Sequence, residues 1–253
     1  AAAAANVPAR IPAEWLADLP DAAALSEPRF YLAELNALWL LLLRKLSVLG
    51  IREASALSPQ AEQSYRRLFF GGGKFSGLVS IDGKRSFDEA SPCIQSLALL
   101  PELFSDAEAT EILESNSDCL VFRKNKLFGV LVRRSPQRAY FNDLQYHGAV
   151  CWPRDSLYLF RVLQRLKDPR AEEILLSHLD HQMGEGAVFY SHELFSLPEG
   201  RNPSPTEDSQ LPVPVKNPAQ YFSQWCQPYY EFLEQQKKST TIKEGTESQT
   251  EVV

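Results

Sequence analysis

Three observations predict an all-α fold. Apolar residues recur in segments of helical length and period, those segments open on recognisable caps, and glycine or proline separates them. The chain has 253 residues, 44% of them apolar and 23% charged, an ordinary globular composition that favours one large domain with a substantial core.

The elements follow in order. Residues 1–28 read as an irregular N-terminal segment, punctuated by proline, with Trp15 and Leu16 as anchors onto a neighbouring surface. A helix is expected from about Pro28 to Leu49, stopped by Gly50. A second should start at Ser58-Pro59, with proline at the first helical position, and end at Phe70 before Gly71-Gly72-Gly73. That glycine run is no phosphate-binding loop, because Lys74 is followed by Phe75 and not by a hydroxyl. Residues 75–89 read as an extended excursion around a turn at Asp82-Gly83. Ser91-Pro92 then opens a helix through Leu100, and Ser105 with Glu108 forms a capping box for a helix to about Ser115. Further helices are expected over 153–167, 169–182 and 217–236. Five prolines make 198–216 a stiff loop, and 237–253 a disordered tail poor in aromatics. The helical domain thus spans 29–236.

Composition excludes several classes of function. A net charge of -6 argues against a sequence-independent grip on nucleic acid, which needs clustered positive charge. The longest apolar run, Ala37 to Leu43, ends at Arg44 and Lys45, far short of the roughly 20 residues that cross a bilayer. Ala1 to Ala5 lacks the basic flank of a secretory signal. Cys93, Cys119, Cys151 and Cys226 are widely spaced with no C-x-x-C pair, which fits a reducing cytoplasm.

Candidate chemistry is densest at Asp143 to Asp155, where Tyr146, His147, Trp152, Arg154 and Asp155 mix flat apolar faces with charged hydrogen-bonding groups. Sugar rings, which present C–H faces and hydroxyl edges, are bound by that combination. Pro153 fits the first helical position, so Asp155 falls in the first turn, where exposed N–H groups favour a carboxylate. It is there either a helix cap or a hydroxyl acceptor. Glu193, in an aromatic-rich stretch after Gly184-Glu185-Gly186, is a candidate general base or a solvated surface residue. His178 and His181 are spaced i,i+3 without a third ligand at recognisable distance, so no metal is assigned and they read as surface or helix-end histidines. Asn36 and Trp39, also i,i+3, are placed to line a pocket together.

Several stretches, in this order, resemble the amylo-alpha-1,6-glucosidase domain of glycogen-debranching enzymes, especially of the archaeal type. They are Ala33 to Trp39 (family pattern E-I-N-A-L-W), Arg85 to Leu99 (R-P-N-Q-x-L-A-L), Gly129 to Ser135 (G-L-R-T-L-S) and Gln145 to Pro153 (Y-H-x-G-x-V-W-P). Glu193-Leu194-Phe195 (S-E-I-F) and Asn217 to Ser223 (P-x-Q-A-W-S) complete the series, so the resemblance covers about Trp15 to Leu233. It implies an (α/α)6 toroid-type barrel that binds an α-glucan, such as glycogen or a branched maltodextrin, and hydrolyses α-1,6 branch points with inversion and no cofactor. Glu193 matches the general base. Substrate-binding roles fall on Tyr146, His147, Trp152, Arg154, Asp155, Asn36, Trp39 and Gln220.

The family's general acid lies in a W-x-R-D-like segment before the E-I-N-A-L-W helix. The chain starts after that point and has about seven expected helices against the barrel's twelve. The N-terminal part of the same enzyme is therefore expected as a partner segment. Trp152-Pro153-Arg154-Asp155 looks like the acid segment but occupies the later position, which makes Asp155 a subsite residue. The alternatives from the same residues are an α-glucosidase or glucoamylase of other linkage specificity, and a glucan-binding or structural subunit without catalysis.

Overall fold

The computed structural model describes residues 5–10, 29–71, 74–84, 86–87, 90–132, 134, 148–184, 191–197, 213–214, 221–222, 229–234 and 237. They are mostly helical. The elements are β1 (Pro8–Arg10), β2 (Arg29–Leu32), α1 (Ala33–Val48), α2 (Arg52–Phe69), β3 (Leu78–Ser80), β4 (Ser86–Phe87), α3 (Ala90–Leu99) and α4 (Asp106–Ser115). There follow β5 (Leu120–Arg123), β6 (Lys126–Val130), β7 (Val150–Cys151), α5 (Pro153–Leu166), α6 (Arg170–Gly184), β8 (Ser191–His192), β9 (Phe195–Ser196), β10 (Val213–Pro214) and β11 (Tyr221–Phe222). Residues 229–234 are helical.

Local signals set several boundaries. Ser105 and Glu108 form the complete capping box, side chain to backbone in both directions. Gly50 takes φ +84° just past α1, and the amides of Gly50 and Ile51 return to the carbonyls of Ser47 and Leu46. This is the paired C-terminal closure that a glycine without Cβ strain permits. Asp82 accepts from the Ser80 hydroxyl and the Lys84 amide, closing the turn between β3 and β4.

Other boundaries differ from expectation. Residues 29–32 are a strand, because β2 pairs with β1 on one side and β3 on the other, and the helix starts only at Ala33. Residues 8–10 of the supposedly irregular segment are likewise strand. Helix α2 begins at Arg52, which leaves Pro59 inside it. That proline is exposed, so the carbonyl deprived of its amide partner is left to water. In the expected helix 217–236, residues 221–222 are instead a strand paired with β8. Most of 198–216, residues 11–28 with Trp15 and Leu16, and 238–253 lie outside the described residues.

Helix α1 packs between α2 and α3, α3 lies on α5, and α5 on α6, with the β5–β6 hairpin against α5 and α6. One apolar core runs through these elements, from Ala37 and Leu40 through Ile94 and Leu97 to Leu159, Leu163 and Ile174. Arg66 and Arg165 fasten the α3–α4 connection, donating to the carbonyls of Leu103 and Phe104 while pairing with Glu108 and Asp106. At Gly129 the backbone passes so close to α5 that a Cβ would lie 2.1 Å from Ser156 Oγ and 2.6 Å from Cys151 Sγ. Among the described residues no helix is long and apolar enough to cross a membrane.

Candidate functional site

The first turn of α5 organises the candidate site. Trp152 precedes the helix in extended conformation and Pro153 starts it, matching the expected placement. Short β7 ends at Cys151 opposite Phe195 of β9, and beyond that pair Trp152, 7% exposed, packs with Val150 and Leu194. Arg154 folds back over the Trp152 ring, 4.9 Å from its centroid.

Glu193 stands in the two-residue link between β8 and β9, half-buried, flanked by buried His192 and Leu194. The two strands belong to different sheets: β8 pairs with β11, while β9 lies between β7 and β10. The link is therefore fixed at both ends, and through Leu194 it rests on Trp152. His192 Nδ1 lies 3.0 Å from Nε2 of buried His181 on α6, which ties β8 to that helix.

Asp155, only 1% exposed, is neither a helix cap nor a solvated acceptor. Its carboxylate accepts from Ser91 Oγ at 2.6 Å, from Gln95 Nε2 at 3.0 Å and from Arg154 Nε at 3.0 Å. The subsite contact expected of Asp155 is thus replaced by an inner role, since its oxygens hold α3 and Arg154 in place. Both hydrogens of Gln95 Nε2 are taken, by Asp155 and by Ser91 Oγ at 3.0 Å, while Glu34 stands in the first turn of α1. Burial and then the charge of Asp155 push the Glu34 carboxyl above the ordinary carboxylate range, opposed by Arg154 and Gln95.

Asn36 is committed elsewhere. Its Oδ1 accepts from the Val7 amide at 2.7 Å and its Nδ2 donates to the carbonyls of Val7 and Leu32 at 3.1 and 2.9 Å. It straps the chain before β1 to α1, with its polar atoms spent on backbone, so the expected pocket wall of Asn36 and Trp39 does not form. Trp39 is half-buried and packs against the main core. Tyr146, His147 and Gln220 lie outside the described residues.

His178 and His181 are fully buried, not surface residues. His178 Nε2 meets the Phe128 carbonyl at 2.9 Å, and its ring stacks on Phe128 and Tyr229. Burial drives its pKa down to about 3. Cys151 is buried against Ser156 with its thiol pushed up to about 12 by burial, which makes it a packing residue and no nucleophile.

Of the expected site residues, the fold brings together Trp152, Arg154 and Asp155, and ties Glu193 to them only through Leu194, which packs on Trp152. It adds Gln95 and Ser91, which local reading passed over, and the charge of Asp155 acts on Glu34. Glu34 stood in a noted motif, but Ser91-Pro92 carried only a helix-start signal, and nothing near Gln95 in sequence announces a partner 60 residues away. No protein-family model matches the chain, and no curated protein matches it.

Proposed function

We propose that this protein is a cytoplasmic glycoside hydrolase of α-glucan branch points, an amylo-α-1,6-glucosidase acting by inversion, with its helices forming part of an (α/α)6 toroid. The observation that carries the reading is the location of Glu193, on a link fixed at both ends and resting through Leu194 on Trp152, beside the Arg154–Asp155 polar cluster. Trp152 itself is buried under Arg154, so the group that a sugar hydroxyl would meet at this point is the partly exposed guanidinium.

In this reading the Glu193 carboxylate takes a proton from a water molecule, whose oxygen attacks the anomeric carbon of the branch glucose. The bond to the leaving O6 breaks on the opposite ring face, and that oxygen takes a proton from an acid. Inversion of an α-linkage releases β-glucose. The acid is assigned to a preceding segment of the same enzyme, as the resemblance implies.

The test is hydrolysis of a branched α-glucan by the full-length enzyme, with the anomer of released glucose followed by NMR. Glu193→Gln is expected to lower kcat about a hundredfold or more with glucan binding kept. An unchanged rate refutes the base assignment, and first-formed α-glucose refutes inversion. Glucan binding without hydrolysis by the wild-type enzyme supports the non-catalytic alternative instead.

A further inference from the structure

The link that carries Glu193 is held unequally at its two ends. On the β9 side Leu194 and Phe195 are fully buried, and the strand lies between β7 and β10. On the other side β8 has two residues, and among the described residues it pairs with β11, also of two, a ladder too short to fix a strand by itself. What reinforces it is the buried His192 side chain, whose Nδ1 lies 3.0 Å from Nε2 of His181. His181 belongs to α6, a helix of 15 residues anchored in the main core through Ile174 and Leu175. The same imidazole stands edge-on to Phe195, with ring centroids 4.7 Å apart. One side chain of a well-anchored helix therefore touches the residue on either side of the Glu193-Leu194 link.

Packing alone does not call for this arrangement. Two imidazoles taken out of water carry a desolvation cost that two aliphatic side chains in the same space would not. What the pair supplies is direction, because a bond between ring nitrogens holds both rings in one relative orientation and, through the His192 Cβ, the backbone next to Glu193. We propose that His181 is a positioning residue for Glu193: bonded to His192 and seated on Phe195, it fixes the spacing of the two ends of the link and thereby where the Glu193 carboxylate stands. The inference rests on the reading of Glu193 as general base. A base must keep hydrogen-bond reach of the water it activates, so a small displacement of its carboxylate slows the reaction. His181 is itself fully buried, so its loss acts on the chemical step and not on glucan binding.

The experiment combines NMR of the isotope-labelled full chain with hydrolysis of a branched α-glucan by the full-length enzyme. In wild type the ring nitrogens of His181 and His192 should show a scalar coupling across their hydrogen bond, and its absence overturns the proposal. His181→Leu is expected to lower kcat about ten- to hundredfold with KM within about twofold, and to speed exchange of the backbone amides of 192–194 about tenfold or more. His181→Gln, whose amide offers a donor and an acceptor near the place of Nε2, should bring kcat and exchange back to within about threefold of wild type. His192→Leu removes the same bond without altering α6 and should match His181→Leu. A wild-type kcat in either leucine variant, a change confined to KM, or a His181→Gln as slow as His181→Leu overturns the positioning role. Amide exchange needs no glucan, so the two readings fail separately: an unchanged rate in Glu193→Gln removes the base, whereas equal exchange in wild type and His181→Leu removes the role of His181 whatever Glu193 does.

Discussion

Replacing Asp155 is the most informative perturbation of the polar cluster, because its cost can be built from the groups it leaves behind. In Asp155→Ala the Ser91 hydroxyl and the Gln95 amide lose a buried acceptor, at 2.6 and 3.0 Å respectively. Each stranded donor costs about 1–3 kcal/mol. Arg154 contributes less, on the order of 1 kcal/mol, because the exposed part of its side chain can be rehydrated. The cavity is small, and the Glu34 carboxyl, relieved of a neighbouring negative charge, returns part of the loss. The sum is roughly 3–5 kcal/mol, the range found when one partner of a buried charged network is deleted. In a chain of this size that lowers Tm by about 6–20 °C. Asp155→Asn keeps the volume and one acceptor oxygen but turns an amide toward donors, so its loss is smaller, about 1–3 kcal/mol. Differential scanning calorimetry at neutral pH, with urea unfolding as a second measure, gives both values. A loss under about 1 kcal/mol in Asp155→Ala would refute the view that this carboxylate joins α3 to α5.

Two other perturbations test the packing around the site. Gly129→Ala forces a methyl to 2.1 Å from Ser156 Oγ, so the strand or α5 must shift. A stability loss of about 1–3 kcal/mol is expected, reduced but not abolished by adding Ser156→Ala since Cys151 still crowds the site; a neutral Gly129→Ala would show the approach to be looser than described. His178 stays neutral in the folded protein down to about 3, whereas the unfolded chain takes up the proton near 6.5, so its contribution is whole above about 6.5 and is lost as pH falls from there toward 3. Melting curves of wild type should therefore fall more steeply through that window than those of His178→Phe, and parallel curves would count against the burial of this ring.

What the sequence made legible was local. The Ser105–Glu108 box, the Gly50 closure and Pro153 at the start of α5 depend on residues within one helical turn, and each lies where the pattern placed it. Arg29 to Leu32 misled because a central strand and the first turn of an apolar helix look alike over four residues. Only the pairing with 8–10 and 78–80 decides between them. At the site, Trp152, Arg154 and Asp155 were visible as a cluster of unusual types, but the direction in which Asp155 points was not. That is set by Ser91 and Gln95, on a helix whose own sequence signals only its start. Asn36 misled in the same way, its amide being taken by backbone 29 residues earlier.

The distance along the chain between the members of the polar wall also bears on how it comes into being. Ser91 and Asp155 are 64 residues apart, so during synthesis α3 is complete long before the acceptor for its two donors has been made. Until α5 docks, Ser91 and Gln95 must stay hydrated, and once it docks, water is expelled and the carboxylate arrives with Arg154 already next to it in the chain. Completion of the wall is thus a late, long-range step in assembly, and a chain that has taken it has brought α3 and α5 into register. The same contacts that fix the first turn of α5 thereby act as a checkpoint on the fold.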